Sequence, residues 1–79
     1  MRVPQEIRIL IKVPREKESF VQSILESYEG LAMILNTEKA GGEIEMLISS
    51  NDSQKAELFE VLRDLSREIP LIFQEEEIL

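Results

Sequence analysis

Arg15, Tyr28 and Glu29 are the side chains of this sequence with the best claim to chemistry on an anionic metabolite. A guanidinium fixes a carboxylate or phosphate through paired hydrogen bonds, a phenol donates one more, and a carboxylate accepts a proton. Gly30 follows directly and would let a ligand approach the backbone. The set reads as a small-metabolite-binding enzyme or enzyme accessory, provided the fold brings the residues together. The favoured reading of the same segment needs no ligand: Tyr28 packs the last turn of a helix and Gly30 turns the chain.

Other chemistries lack their residues. The sequence holds no His and no Cys, so the commonest general base, the thiolate nucleophile and the usual ligands for zinc, copper and iron are missing. The runs Glu75-Glu76-Glu77 and Glu43-x-Glu45 lack the glycine-containing loop of a built calcium site and read as solvated charge. Val13-Pro14-Arg15-Glu16 has an arginine but no glycine cradle for phosphate. No catalytic residue, metal site or cofactor is expected, and the chain is read as a non-enzyme. Sixteen acidic residues against nine basic ones give a net charge of -7, which repels nucleic acid and anionic membrane surfaces. With no cysteine and no apolar run of the ~20 residues that cross a bilayer, a cytoplasmic location is expected.

The elements that position these residues follow from periodicity. Gln5 to Val13 alternates, setting Ile7, Ile9, Ile11 and Val13 against Glu6, Arg8, Leu10 and Lys12. After Pro14, a helix from Arg15 to about Glu29 presents Phe20, Val21, Ile24, Leu25 and Tyr28 to the core. Gly30 suits the left-handed position of a Schellman stop, with Leu31 packing back on Leu25. A second strand then places Leu31, Met33, Leu35 and Thr37 inward and Ala32, Ile34, Asn36 and Glu38 outward. Glu38 to Gly42 makes a hairpin, and Glu43 to Ser49 alternates again with Ile44, Met46 and Ile48 inward. Asn51 and Gln54 resemble a capping box for a helix that buries Leu58, Phe59, Leu62, Leu65 and Ile69 and ends at Pro70. Leu71 to Gln74 forms a last edge strand, followed by an acidic tail over 75–79.

Strand, helix, strand, twice over, is the pattern of an α+β ferredoxin-like βαββαβ sandwich in one domain spanning 1–79. The expected antiparallel or mixed sheet has order 4-1-3-2, with both helices on one face and strands one and three parallel at its centre. A register with Leu10 beside Leu47 then also places Arg8 beside Glu45. The open face carries Leu10, Ile34, Leu47 and Ile72, an apolar island that favours a homodimer joined sheet to sheet. It shows none of the outward aromatics on which RNA-binding domains of this architecture stack bases.

Tyr28-Glu29-Gly30-Leu31-Ala32, between a helix and the strand leading to the glycine hairpin, resembles the Tyr-acidic-Gly-Leu-Ala signature of an uncharacterised bacterial family of short ACT-like proteins. The resemblance spans about Glu6 to Glu68 and implies no established activity. ACT domains are regulatory modules that bind amino acids at dimer interfaces, near a glycine in the first strand-helix loop. Here Pro14 and Arg15 occupy that loop, which puts an effector in the same place in doubt. The resemblance implies a non-catalytic regulatory or protein-interaction module, with any small-molecule effector at the subunit junction and ligand contacts among Arg15, Tyr28, Glu29 and Gly30.

Overall fold

The computed structural model describes residues 3–76. Strands β1 (Glu6–Pro14), β2 (Met33–Ala40), β3 (Glu43–Asn51) and β4 (Ile72–Glu76) and helices α1 (Glu18–Ser27) and α2 (Lys55–Glu68) follow one another as β1, α1, β2, β3, α2, β4. The sheet order is β2-β3-β1-β4, which is 4-1-3-2 counted from the other edge. Among the described residues, no helix is long and apolar enough to cross a membrane.

All three strand pairings are antiparallel, so the expected parallel contact of β1 with β3 is corrected. The cause lies in the connections. A strand that returns through a helix runs parallel to its predecessor, as β2 does to β1, and the tight hairpin then reverses β3 against both. The register keeps Leu10 opposite Leu47 but pairs Arg8 with Ser49 and Lys12 with Glu45. Arg8 and Glu45 therefore part, because two residues back along β1 now means two residues forward along β3.

The core is built from the inward alternation of β1 and β3. Ile9 pairs with Ile48, Ile11 with Met46 and Val13 with Ile44, all buried. Val21 and Leu25 of α1 and Leu58, Val61, Leu62 and Leu65 of α2 join them, so both helices contribute to one cluster. Phe59 meets Phe73 of β4 edge to face at 5.4 Å, an arrangement favoured by the ring quadrupoles. Phe20, expected in the core stripe, is 42 % exposed. It precedes Val21 by about 100° around α1, enough to turn it off the buried face.

Strand β2 departs furthest from expectation. Ile34 pairs with the buried Ile48 and packs against the core, whereas Met33, expected inward, pairs with the outward Ser49 and is 66 % exposed. A bulge then sets in: Ile34 opposes Ile48 and Asn36 opposes Leu47, leaving Leu35 without a partner of its own. One extra residue reverses the alternation. Beyond it Thr37 faces inward beside Met46 while Asn36 and Glu38 face outward, as the sequence pattern implies. Ile34 is thereby removed from the open face to which it was assigned.

The connections also differ in detail. Arg15–Lys17 form a 3₁₀ turn before α1, and the Arg15 amide donates to the Gly42 carbonyl at 3.0 Å, tying the start of the helical segment to the hairpin. Helix α1 ends at Ser27, and Gly30 has φ 75° in a turn closed by the Leu31 amide on the Tyr28 carbonyl at 3.1 Å. Positive φ was expected there, but its setting is the third position of a β-turn beyond the helix rather than a Schellman stop. The β2–β3 hairpin has a two-residue loop in which Gly41 alone takes positive φ, 64°, which makes it type II′. Asn51 ends β3 instead of capping α2; its Oδ1 accepts from the Gln54 amide at 3.1 Å and its Nδ2 donates to Gln54 Oε1 at 2.9 Å. Strand β4 includes Glu75 and Glu76, since pairing with β1 continues to Arg8 opposite Glu76. The rest of the expected acidic tail, 77–79, lies outside the described residues.

Two consequences can be measured. A Cβ at Gly30 would meet nothing within 4 Å, so the cost of Gly30→Ala comes from backbone conformation alone. Urea unfolding should show a loss of about 1 kcal/mol, with Gly30→Asn losing less because Asn tolerates the left-handed region. Deletion of Leu35 should leave a cooperative fold, because Ile34 and Asn36 already oppose consecutive residues of β3; deletion of Thr37 should cost far more. Equal melting temperatures for the two deletions would contradict the bulge.

Candidate functional site

The structure does not assemble the expected metabolite site. Arg15 sits at the hairpin end of the domain, bound through its amide to Gly42. Tyr28 lies thirteen residues further on, past the other end of α1, about 20 Å away at ~1.5 Å per helical residue. Its ring lines a groove between the helices with Ile24, Val61 and Asp64. Glu29 is exposed in the following turn, and Gly30 borders a different groove. A single carboxylate held by Arg15 is out of reach of Tyr28 and Glu29.

The segment Tyr28 to Ala32 acts instead as a fastening. Gly30 turns the chain, and Leu31 enters the core at 2 % exposure. Both backbone polar groups of Leu31 are held: its amide by Tyr28, and its carbonyl by the Ser50 hydroxyl, which donates at 2.6 Å. The turn after α1 is thus tied to the end of β3, satisfying groups that burial would otherwise leave unpaired.

Gly30, Met33, Glu6, Ser49, Asn51 and Gln54 surround a shallow groove of about 470 Å³ at this end of the sheet. Sequence reasoning missed it because Ser50-Asn51-Asp52-Ser53 matches the composition of a helix cap. The groove's polar groups already have partners. Ser49 Oγ donates to Glu6 Oε2 at 2.8 Å, Ser53 Oγ donates to Asn51 Oδ1, and the Gln5 amide donates to Asp52 Oδ1 at 3.2 Å. The Ser49 hydroxyl holds the Glu6 carboxyl below the usual carboxylate range, assisted by the charge of Arg8, whose Nε lies 3.5 Å from Glu6 Oε2. A carboxylate so held is a weak base, which suits hydrogen bonding and not proton abstraction. Among the described residues, no group of three or more acidic side chains converges on a point able to hold a metal ion.

The sheet face away from the core is a separate feature. Leu10 and Leu47 lie side by side at its centre, half-buried, and Ile72, 64 % exposed, lies opposite Lys12 on the β4 side. Arg8, Asn36, Glu38, Glu45 and Glu76 rim a hollow of about 320 Å³ whose apolar floor is Leu10 and Leu47. Phe73 and Phe59 point into the sandwich, and Phe20 and Tyr28 belong to the α1 side, so the face carries no aromatic ring among the described residues. At the β4 edge, Lys55 Nζ bonds Glu75 Oε1 at 2.6 Å and lies 5.5 Å from the centre of the Phe59 ring, fastening α2 to the last strand.

The Glu6 arrangement predicts a measurable titration. Its pKa is depressed in the folded state, so its contribution to stability is present above the unfolded value and disappears as pH falls through the folded one. Ser49→Ala should move the Glu6 carboxyl upward in a carbon-detected NMR titration, and by more than Arg8→Ala does. An unmoved Glu6 in Ser49→Ala would remove the hydroxyl as the main cause.

A comparison with functionally curated proteins finds no match. A family model described as a domain of unknown function, DUF4911, matches residues 11–69, from the middle of β1 through both helices to the exit of α2. The matched span includes the Gly30 turn, the Gly41-Gly42 hairpin, the β2 bulge and, of the two central leucines, Leu47. With about three quarters of its length covered, the chain belongs to the DUF4911 family.

Proposed function

We propose that this chain is a non-catalytic, ACT-like interaction or regulatory module of ferredoxin-like architecture, working in the cytoplasm, whose open sheet face pairs with a second copy. The observation that carries the reading is the direct pairing of Leu10 with Leu47 on the face opposite the core, with Ile72 beside them and Met33 further along. The separation of Arg15 from Tyr28 supports a role without catalysis. Nucleic acid is disfavoured as a partner by the net charge of -7 and by a face without aromatics on which bases could stack.

Magnitudes point to a weak dimer. Burying an apolar side chain of this size contributes roughly 1.5–3 kcal/mol, so Leu10, Leu47, Ile72 and Met33 supply about 6–12 kcal/mol before association costs of about 4–15 kcal/mol. Four strands ~4.8 Å apart, with about seven paired residues at ~3.4 Å each, project a flat area of roughly 450 Å². That is modest beside the ~800 Å² per partner of a standard interface. At best about 8 kcal/mol remains, so the dimer is no tighter than about micromolar.

Sedimentation velocity between one and several hundred micromolar should show a monomer–dimer equilibrium for the wild type and a monomer for Leu47→Glu. A wild type that stays monomeric, or a Leu47→Glu variant that still dimerises, would rule out the sheet-face model.

A further inference from the structure

Resting on that face-to-face reading, we infer that the two-fold axis of the dimer runs parallel to the strands, between β1 and β3, so that Lys12 of each copy meets the partner's Glu45. The charges on the face select this arrangement. Lys12 and Glu45 oppose each other across β1 and β3, both half-buried, yet among the described residues neither side chain makes a hydrogen bond or ion pair. On the other side of Glu45 stands Glu38, a like charge directly opposite it. Glu45 thus has a repulsive neighbour within its own sheet and an adjacent cation that is not bonded to it.

A two-fold axis along the strands exchanges β1 with β3 at constant height. Leu10 then covers the partner's Leu47, Lys12 covers the partner's Glu45, and Arg8 covers the partner's Ser49. Each contact occurs twice. An axis lying across the strands instead sets β1 on the partner's β1 and brings Arg8 over the partner's Lys12 twice, placing like charges in the middle of the interface. Like charges juxtaposed in an interface suppress the wrong arrangement more strongly than rim pairs reward the right one.

Sheet twist leaves the pairing within reach. Lys12 and Glu45 lie two residues from the central leucines, about 7 Å along the strands. Aligned sheets cross at about 30°, which displaces the two chains by about 3.5 Å at that distance, less than the ~4.8 Å strand spacing. Sheets about 10 Å apart are spanned by a lysine and a glutamate extending toward each other.

Mixing charge-reversed chains tests the assignment. Lys12→Glu alone and Glu45→Lys alone should each weaken the dimer about tenfold or more, and an equimolar mixture should recover a heterodimer within a few-fold of wild type. Recovery in the mixture cannot come from repair inside either chain, since each retains a like pair across its own β1 and β3. Loss of dimer in Leu47→Glu without recovery in the mixture, or single variants that dimerise like wild type, would overturn the axis while leaving the shared face standing. Circular dichroism checks that the variants fold. If they do not, the cysteine-free sequence allows a second test: Lys12→Cys mixed with Glu45→Cys should form a mixed crosslink through a short bismaleimide far more than Lys12→Cys mixed with Arg8→Cys, because the strand-parallel axis sets Lys12 over the partner's Glu45 and about 14 Å along the strands from the partner's Arg8. Preferential crosslinking of Lys12→Cys to Arg8→Cys would reject the strand-parallel axis.

Discussion

The antiparallel register of β1 on β3 determines what every other part of the molecule can do. Because side chains alternate with period two, pairing Ile9 with Ile48 and Ile11 with Met46 for the core also obliges Leu10 to lie beside Leu47 and Lys12 beside Glu45 on the other face. A slip of β1 by one residue would bury Arg8 and Lys12 and expose its isoleucines. The core therefore fixes which positions make up the outer face.

The ends of the central pair are secured by different means. At the hairpin end, the Gly42 carbonyl accepts from Arg15, joining the turn to the start of the helical segment. At the opposite end, Ser50 holds the Leu31 carbonyl, and Gln5 and Asp52 exchange hydrogen bonds between the start of β1 and the exit of β3. These contacts, with that of the Leu31 amide, engage the backbone of two residues that invite a functional reading, the Arg15 amide and the Tyr28 carbonyl. Arg15 and Gly30, adjacent to each other in a metabolite-site hypothesis, are engaged in fastening opposite ends of one sheet.

How much of this was legible in the sequence depends on whether a feature obeys a local period. The alternation in β1 and β3 and the helical stripes of Val21 with Leu25 and Leu58 with Leu62 and Leu65 announce their elements directly, because burial imposes the spacing. The sheet order followed from the succession of elements. The β2 bulge did not, since a run such as Met33-Ile34-Leu35 is apolar in either phase and gives no sign of which residue is the extra one. The distance between Arg15 and Tyr28 is hidden for a related reason: residue types suggest chemistry, but the helix between them acts as a spacer of about 20 Å. On the outer face Leu10, Leu47 and Ile72 stand where strand alternation places them, whereas Ile34 lies on the phase-shifted strand and turns toward the core.

The bulge at Leu35 also bears on how far association can proceed. A straight, unbroken edge strand is a template onto which another chain can add its own hydrogen bonds, and repeated addition gives fibres. On β2 the ladder is irregular at Leu35 and followed by Glu38 and Lys39, while β4, at the opposite border, is five residues long and carries Glu75 and Glu76. Both borders resist lateral growth. Were the proposed two-fold contact to occupy the flat side on both members, assembly would end at a pair.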